Sequence, residues 1–210
     1  MTSRKAFIGV LAAGALPLSV SASAGEFRPV AGAGVVSAYT KIDVRRDCRH
    51  RPGVEAEDYG DWRCRGYAGV PMWVGADDQR SYVSFGPKAS EELAAEQTFA
   101  PFNSFYKGAV EWRLEKPEGR PFATIVRWGV KTTADLDKTS ARGRVLVVTR
   151  LPPGAVCHVG YVDALANADA NGLAREIADK YARGFDCGKD KPTFLGKVTP
   201  GEEFVSPAGQ

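Results

Sequence analysis

The chain has 210 residues, with 28 Lys+Arg against 25 Asp+Glu and four cysteines. At 44% apolar and 25% charged residues it has the composition of a folded globular protein, not of a disordered or collagen-like one, and the length suits one domain. A formal net charge of +3 is too small to point to nucleic acid.

Residues 1–24 read as a secretory signal peptide. Arg4 and Lys5 form the positive start, Ala6 to Leu18 is an uncharged apolar run interrupted by Pro17, and Ala22-Ser23-Ala24 has the small-x-small order of a cleavage site. The run is shorter than the roughly 20 apolar residues a spanning helix needs. No later segment is long and apolar enough to cross a membrane, so no transmembrane anchor is expected after cleavage near Ala24. Losing the two leader cations from 28 leaves 26 positive against 25 negative side chains, a net of +1. The exported protein then has no global field to steer it to an anionic partner.

Residues 25–37 are rich in Gly and Ala and read as a flexible N-terminal arm. Gly32-Ala33-Gly34 lacks the strand, third glycine and helix of a dinucleotide fingerprint. A single α+β domain is expected over 38–190, followed by a C-terminal tail over 191–210. Tyr39 to Val44 alternates as a strand, and Cys48 to Asp61 is polar with Pro52, Gly53 and Gly60, hence a long loop. Short strands are expected at Trp62 to Tyr67, Met72 to Val74 and Arg80 to Phe85. Ser90 to Gln97 has the N-cap and first-turn acids of a short helix, and Pro101 to Tyr106 is an aromatic loop or irregular strand.

Ala109 to Leu114 and Phe122 to Val130 form the clearest hairpin, around Lys116-Pro117-Glu118-Gly119-Arg120. Val110, Trp112 and Leu114 share one face, and Glu111 and Arg113 the other. Strands follow at Arg144 to Leu151 and Val156 to Val162, separated by Pro152-Pro153-Gly154. Asn167 to Arg183 is the best helix, with a stripe of Leu173, Ile177 and Tyr181, a start capped by Asn167 or Asn171, and Gly184 after its end. The fold class that follows is α+β: an antiparallel sheet or meander with one long C-terminal helix on one face.

Four cysteines in an exported chain pair as two disulfides. Three connectivities are open. Cys48–Cys64 and Cys157–Cys187 join near neighbours and are preferred. Cys48-Arg49-His50 and Cys157-His158 match no metal-ligand spacing, so neither a metal nor another cofactor is expected.

The segments Asp61-Trp62-Arg63-Cys64-Arg65-Gly66-Tyr67, Val110-Glu111-Trp112-Arg113-Leu114, Pro121-Phe122-Ala123-Thr124-Ile125 and Cys157-His158-Val159-Gly160-Tyr161-Val162-Asp163-Ala164 resemble uncharacterised exported proteins of alphaproteobacteria. The resemblance covers most of the mature chain. It implies a periplasmic or secreted location and no activity, ligand or catalytic residue.

Three constellations carry potential chemistry. A Cys48–Cys64 bond would gather Arg45, Arg46, Arg49, Arg51, Arg63 and Arg65, with His50, into one anion-binding surface, since guanidinium groups match phosphate and carboxylate bidentately. Asp43, Asp47, Glu55, Glu57, Asp58 and Asp61 lie in the same stretch, and the plainer expectation is solvated ion pairs. Glu111, Arg113 and Arg127 lie on facing hairpin strands, where alternation turns Glu111 to solvent and a cross-strand ion pair is expected. His158 is expected to be exposed, opposite Cys157, Val159 and Tyr161.

No nucleophile motif accompanies these groups. Val83-Ser84-Phe85-Gly86 is not a nucleophile elbow, and Asp163 and Asp169 suit a helix start. The function expected is a non-enzymatic binding or envelope-associated module in the periplasm, with an anionic envelope component or protein as partner and no nucleic acid. The alternative is a small periplasmic hydrolase whose site assembles only in the fold. A deep pocket uniting His158 or His50 with a carboxylate would favour the hydrolase; an open basic surface would favour binding.

Overall fold

The computed structural model describes residues 28–32, 34–51, 60–77, 80–99, 102–116, 119–131 and 143–199. The signal peptide expected at 1–24 lies outside them, as do Glu55, Glu57 and Asp58. In chain order the elements are β1 (Arg28–Gly32), β2 (Val35–Asp43), the single turn α1 (Val44–Asp47), β3 (Arg49–His50), β4 (Gly60–Arg65), β5 (Pro71–Asp77), β6 (Arg80–Phe85), β7 (Phe102–Ser104), β8 (Lys107–Leu114), β9 (Pro121–Lys131), β10 (Gly143–Arg150), β11 (His158–Asp163), α2 (Ala170–Tyr181) and β12 (Thr193–Phe194).

The strands build two sheets. The larger runs β1-β2-β8-β9-β10-β11-β12, with β7 pairing the end of β9; the smaller runs β3-β4-β5-β6. All pairings are antiparallel except β11 with β12. Period-two alternation then sorts the side chains. Val110, Trp112 and Leu114 of β8, Val126 and Trp128 of β9 and Val145 and Val147 of β10 pack against Cys64, Met72, Val74, Val83 and Phe85 of the small sheet. The other face carries Ala123, Ile125, Leu146 and Val148 under Ala174, Ile177 and Ala178 of α2. The large sheet is thus the middle of three layers and is covered on both faces.

The structure bears out a mixed fold of mostly antiparallel strands with, among the described residues, one helix longer than a turn. Its particulars differ from the sequence reading. There are two sheets rather than one meander, because β2 pairs β8 and the intervening chain folds into the smaller sheet. Within the expected arm, 28–32 and 35–37 belong to a hairpin at the edge of the large sheet. Within the expected tail, β12 adds to β11, and Thr199 donates to the Asp163 carboxylate from both its backbone N–H and its hydroxyl.

The helix spans Ala170–Tyr181, shorter than expected, and Asp169 caps it by accepting from the Gly172 N–H at 3.1 Å. Tyr181 is 48% exposed, and the buried positions of α2 are Ala170, Ala174, Ile177 and Ala178. Ser90 to Gln97 is not an α-helix but two 3-10 turns, Ala89–Glu91 and Leu93–Ala95. Both preferred disulfides are present, Cys48–Cys64 and Cys157–Cys187, with Cα atoms 4.3 and 5.8 Å apart. Among the described residues no helix is long and apolar enough to cross a membrane.

Candidate functional site

On the face that carries α2, β9 and β10 pair so that Arg127 stands opposite Leu146 and Arg144 opposite Gly129. The two arginines are therefore diagonal neighbours on one face of the sheet. The helix does not cover this face completely, and beside its N-terminal half a cleft of about 730 Å³ remains. Its floor is the sheet itself: Gly108 and Ala109 of β8, Ile125 and Gly129 of β9, and Leu146 of β10. Small residues in the floor leave room where larger side chains would fill it. Asn171 and Arg175 of α2 flank it, and Tyr39, Ser104, Tyr106 and Lys107 complete it.

The cleft is cationic. Arg127 is exposed and donates to Asn171 Oδ1 at 3.3 Å. Its guanidinium pKa is lowered, first by partial burial and then by the positive charge of Arg144. Lys107 contributes a fourth cation, 3.5 Å from Asp43. The carboxylate in the lining, Glu111, is committed elsewhere. It accepts from Arg175 Nε at 2.6 Å and from the Ser37 hydroxyl at 2.5 Å, and lies 3.6 Å from Arg113 Nη1. Arg113 donates to Ser37 Oγ and to both oxygens of Asp179. Arg175 also donates to the Tyr39 hydroxyl at 3.0 Å. Its pKa is raised, chiefly by the hydrogen bond to Glu111, against the opposing effect of burial.

This network corrects the expectation for Glu111. It is 7% exposed and Arg113 is 4% exposed. The polar face of β8 is turned toward α2 rather than solvent, and its charges pair with Arg175 and Asp179 of that helix. Among the described residues the expected cross-strand ion pair is replaced: Glu111 pairs with Arg175 of the helix and lies near Arg113 of its own strand, while Arg127 stands apart and faces the cleft.

His158 is corrected as well. A register shift between Val148 and Thr149 puts Thr149 opposite His158 after Val148 opposite Gly160, so Val159 is skipped. The bulge brings His158 onto the inner face with Tyr161. The ring is fully buried near Phe99, Trp128 and Tyr161, with Nδ1 3.1 Å from the Tyr161 hydroxyl. Burial depresses its pKa to about 3. Neither His158 nor His50 lines the cleft, so the expected test for a hydrolase, a histidine meeting a carboxylate in a pocket, is not met there.

The disulfide does bring the six arginines into one region, but with different partners. Arg45 lies over the Tyr106 ring at 5.5 Å, Arg46 pairs with Asp47 at 2.8 Å, and Arg51 is 3.7 Å from Asp61. Arg49 and Arg63 are directly opposed on β3 and β4, and Arg65 follows Arg63 on the same face. These three are exposed, and among the described residues none has a carboxylate within 4 Å. The same holds for metal: among the described residues no three His, Cys, Asp or Glu side chains are grouped to hold an ion.

Sequence reasoning singled out Arg127 but missed Arg144, Arg175, Asn171, Tyr39, Ser104, Tyr106 and Lys107 as its neighbours. A weak signal existed in the polar positions of β10 and α2, but their meeting depends on how the helix lies over the sheet. Comparison with protein-family models, with curated proteins and with solved structures finds no match, so the site is interpreted from its own geometry.

Proposed function

We propose that this protein is an exported, disulfide-stapled binding module whose cleft takes a small anionic ligand. The observation that carries the reading is the adjacency of Arg127 and Arg144 in a cleft whose lining carboxylate, Glu111, is already paired with Arg175. The exposed Arg127 guanidinium, with Arg144 beside it on the same face, offers a bound carboxylate or phosphate bidentate hydrogen bonds. The volume is that of a site for a small organic molecule. Two disulfides agree with an oxidising compartment, and the signal peptide expected at 1–24 would deliver the chain there.

Thermal unfolding with citrate or inorganic phosphate as probe tests the reading. Citrate should raise the midpoint in a saturable way, by mass action, with about 2.7 kcal/mol of stabilisation at a hundred times the dissociation constant. Arg127→Gln, at an exposed position, should keep the fold and lose at least tenfold in affinity. Absence of a saturable shift in the wild type, or an undiminished shift in Arg127→Gln, would overturn the proposal.

A further inference from the structure

The outer face of the small sheet carries a second arrangement, separate from the cleft. Alternation puts Asp61, Arg63 and Arg65 of β4 on this face, with Trp73 and Gly75 of β5 beside them. Arg63 is paired with Trp73, and Asp61 with Gly75. The indole of Trp73 lies along its strand over Gly75: a Cβ built on that glycine would stand only 2.4 Å from the far edge of the ring. Trp73 Nε1 donates to Asp61 Oδ1 at 3.0 Å, which fixes the ring's orientation. Any side chain at position 75 would lift the ring off the sheet. The result is a half-buried tryptophan lying down on a β-sheet with Arg63 as its cross-strand neighbour.

The arginines beside it are arranged at a cost. Arg49 and Arg63 are directly opposed across β3 and β4, a like-charge placement that destabilises a sheet. Arg65 lies roughly 7 Å further along β4 by strand geometry. Asp61, the acid on the same face, is occupied by Trp73 and Arg51. An opposed arginine pair with no carboxylate among the described residues within 4 Å, set beside an oriented aromatic ring, supplies the two elements that hold an acidic sugar chain. The ring face packs against the C–H face of a pyranose, and the guanidiniums take its carboxylates as fork-to-fork pairs.

We propose that this face binds an acidic polysaccharide of uronate-bearing sugars, with Trp73 as the stacking platform and Arg49, Arg63 and Arg65 as the carboxylate clamps. The charge complementarity selects an anionic chain. The two disulfides, which suit an oxidising compartment, favour a glycan over nucleic acid as the chain encountered.

Calorimetric titration of the full chain with a polymannuronate hexasaccharide tests this, with neutral dextran and a single-stranded oligothymidylate in parallel. The hexasaccharide should bind and dextran should not. Arg63→Gln/Arg65→Gln, at exposed positions where the fold tolerates change, should weaken binding at least tenfold and flatten its salt dependence. Trp73→Ala should weaken it to a similar degree, with Trp73→Phe recovering part of the loss. Lys180→Gln, which removes one exposed charge from α2, should leave it unchanged. The proposal is overturned if the hexasaccharide does not bind, if the oligothymidylate binds more tightly, or if Lys180→Gln weakens binding as much as the double arginine variant. The last result would mean that the protein's charge as a whole, and not this face, attracts the polymer.

Discussion

His158 shows how much a single residue's environment depends on the register of its strand. Alternation from Cys157 puts it on the opposite face from Tyr161; the bulge at Val159 reverses that and sends the ring to the small-sheet side, and the expected exposure fails because β11 is covered on both faces. The change has a measurable consequence. The ordinary histidine pKa is 6.5, and burial lowers that of His158 to about 3. The unfolded chain therefore takes up a proton below pH 6.5 that the folded chain refuses until about pH 3. The stability is complete above 6.5 and is lost as the pH falls through that window, at up to about 1.4 kcal/mol per pH unit. Urea unfolding of the wild type and His158→Phe at pH 7 and pH 4.5 should show a smaller acid-induced loss in the variant. Equal losses would mean that His158 does not titrate with folding. Glu111 departs from its expected exposure for a related reason. The pattern of β8 correctly separates Glu111 and Arg113 from Val110, Trp112 and Leu114, but a polar face reads the same whether it meets water or an oppositely charged helix.

At the scale of elements, the hairpin β8–β9 and the helix α2 were legible because each is encoded within a short window. Val110, Trp112 and Leu114 announce the strand, and the apolar spacing of Leu173 and Ile177 announces the helix. The weight each helical residue carries was not legible. The buried side of α2 is made mostly of Ala170, Ala174 and Ala178, whose small side chains let the helix lie close to the sheet, while Tyr181 remains 48% exposed. Ile177 is the large side chain at this contact. It nests against Gly160 of β11, where an added Cβ would come within 3.0 Å of its Cγ2. Ile177→Ala should lower stability by about 2–5 kcal/mol, as for a deletion in a well-packed core. Tyr181→Ala should stay within about 0.5 kcal/mol, as for a surface position. Denaturant midpoints of the two variants, taken with the slope of the transition held common, would decide it. A larger loss at Tyr181 than at Ile177 would contradict the packing described here.

At the scale of the molecule, the central fact is that β2 and β8 are neighbours although the whole small sheet lies between them in sequence. No local pattern encodes that pairing, which is why a single meander was the natural expectation and why the cleft, formed where β8, β9, β10 and α2 converge, could not be assembled from the sequence. The small sheet is an excursion from the large one. Cys48–Cys64 closes it near its start, and the Ser81 backbone and hydroxyl fasten it to the returning chain through Asn103 Oδ1, the Thr98 hydroxyl and the Phe105 N–H. Its two ends are thus held by different means, one covalent and one by hydrogen bonds. Removing the covalent tie as Cys48→Ala/Cys64→Ala reopens a loop with a sequence separation of 16, which corresponds to about 3 kcal/mol on the chain-entropy account. The loss should be local. Hydrogen exchange should quicken first in β3 and β4, next to the missing bond, while β9 and β10, buried between two layers, keep their protection. If all strands lost protection together, the small sheet and the large sheet would form one cooperative unit, and the disulfide would stabilise the whole molecule rather than the excursion it closes.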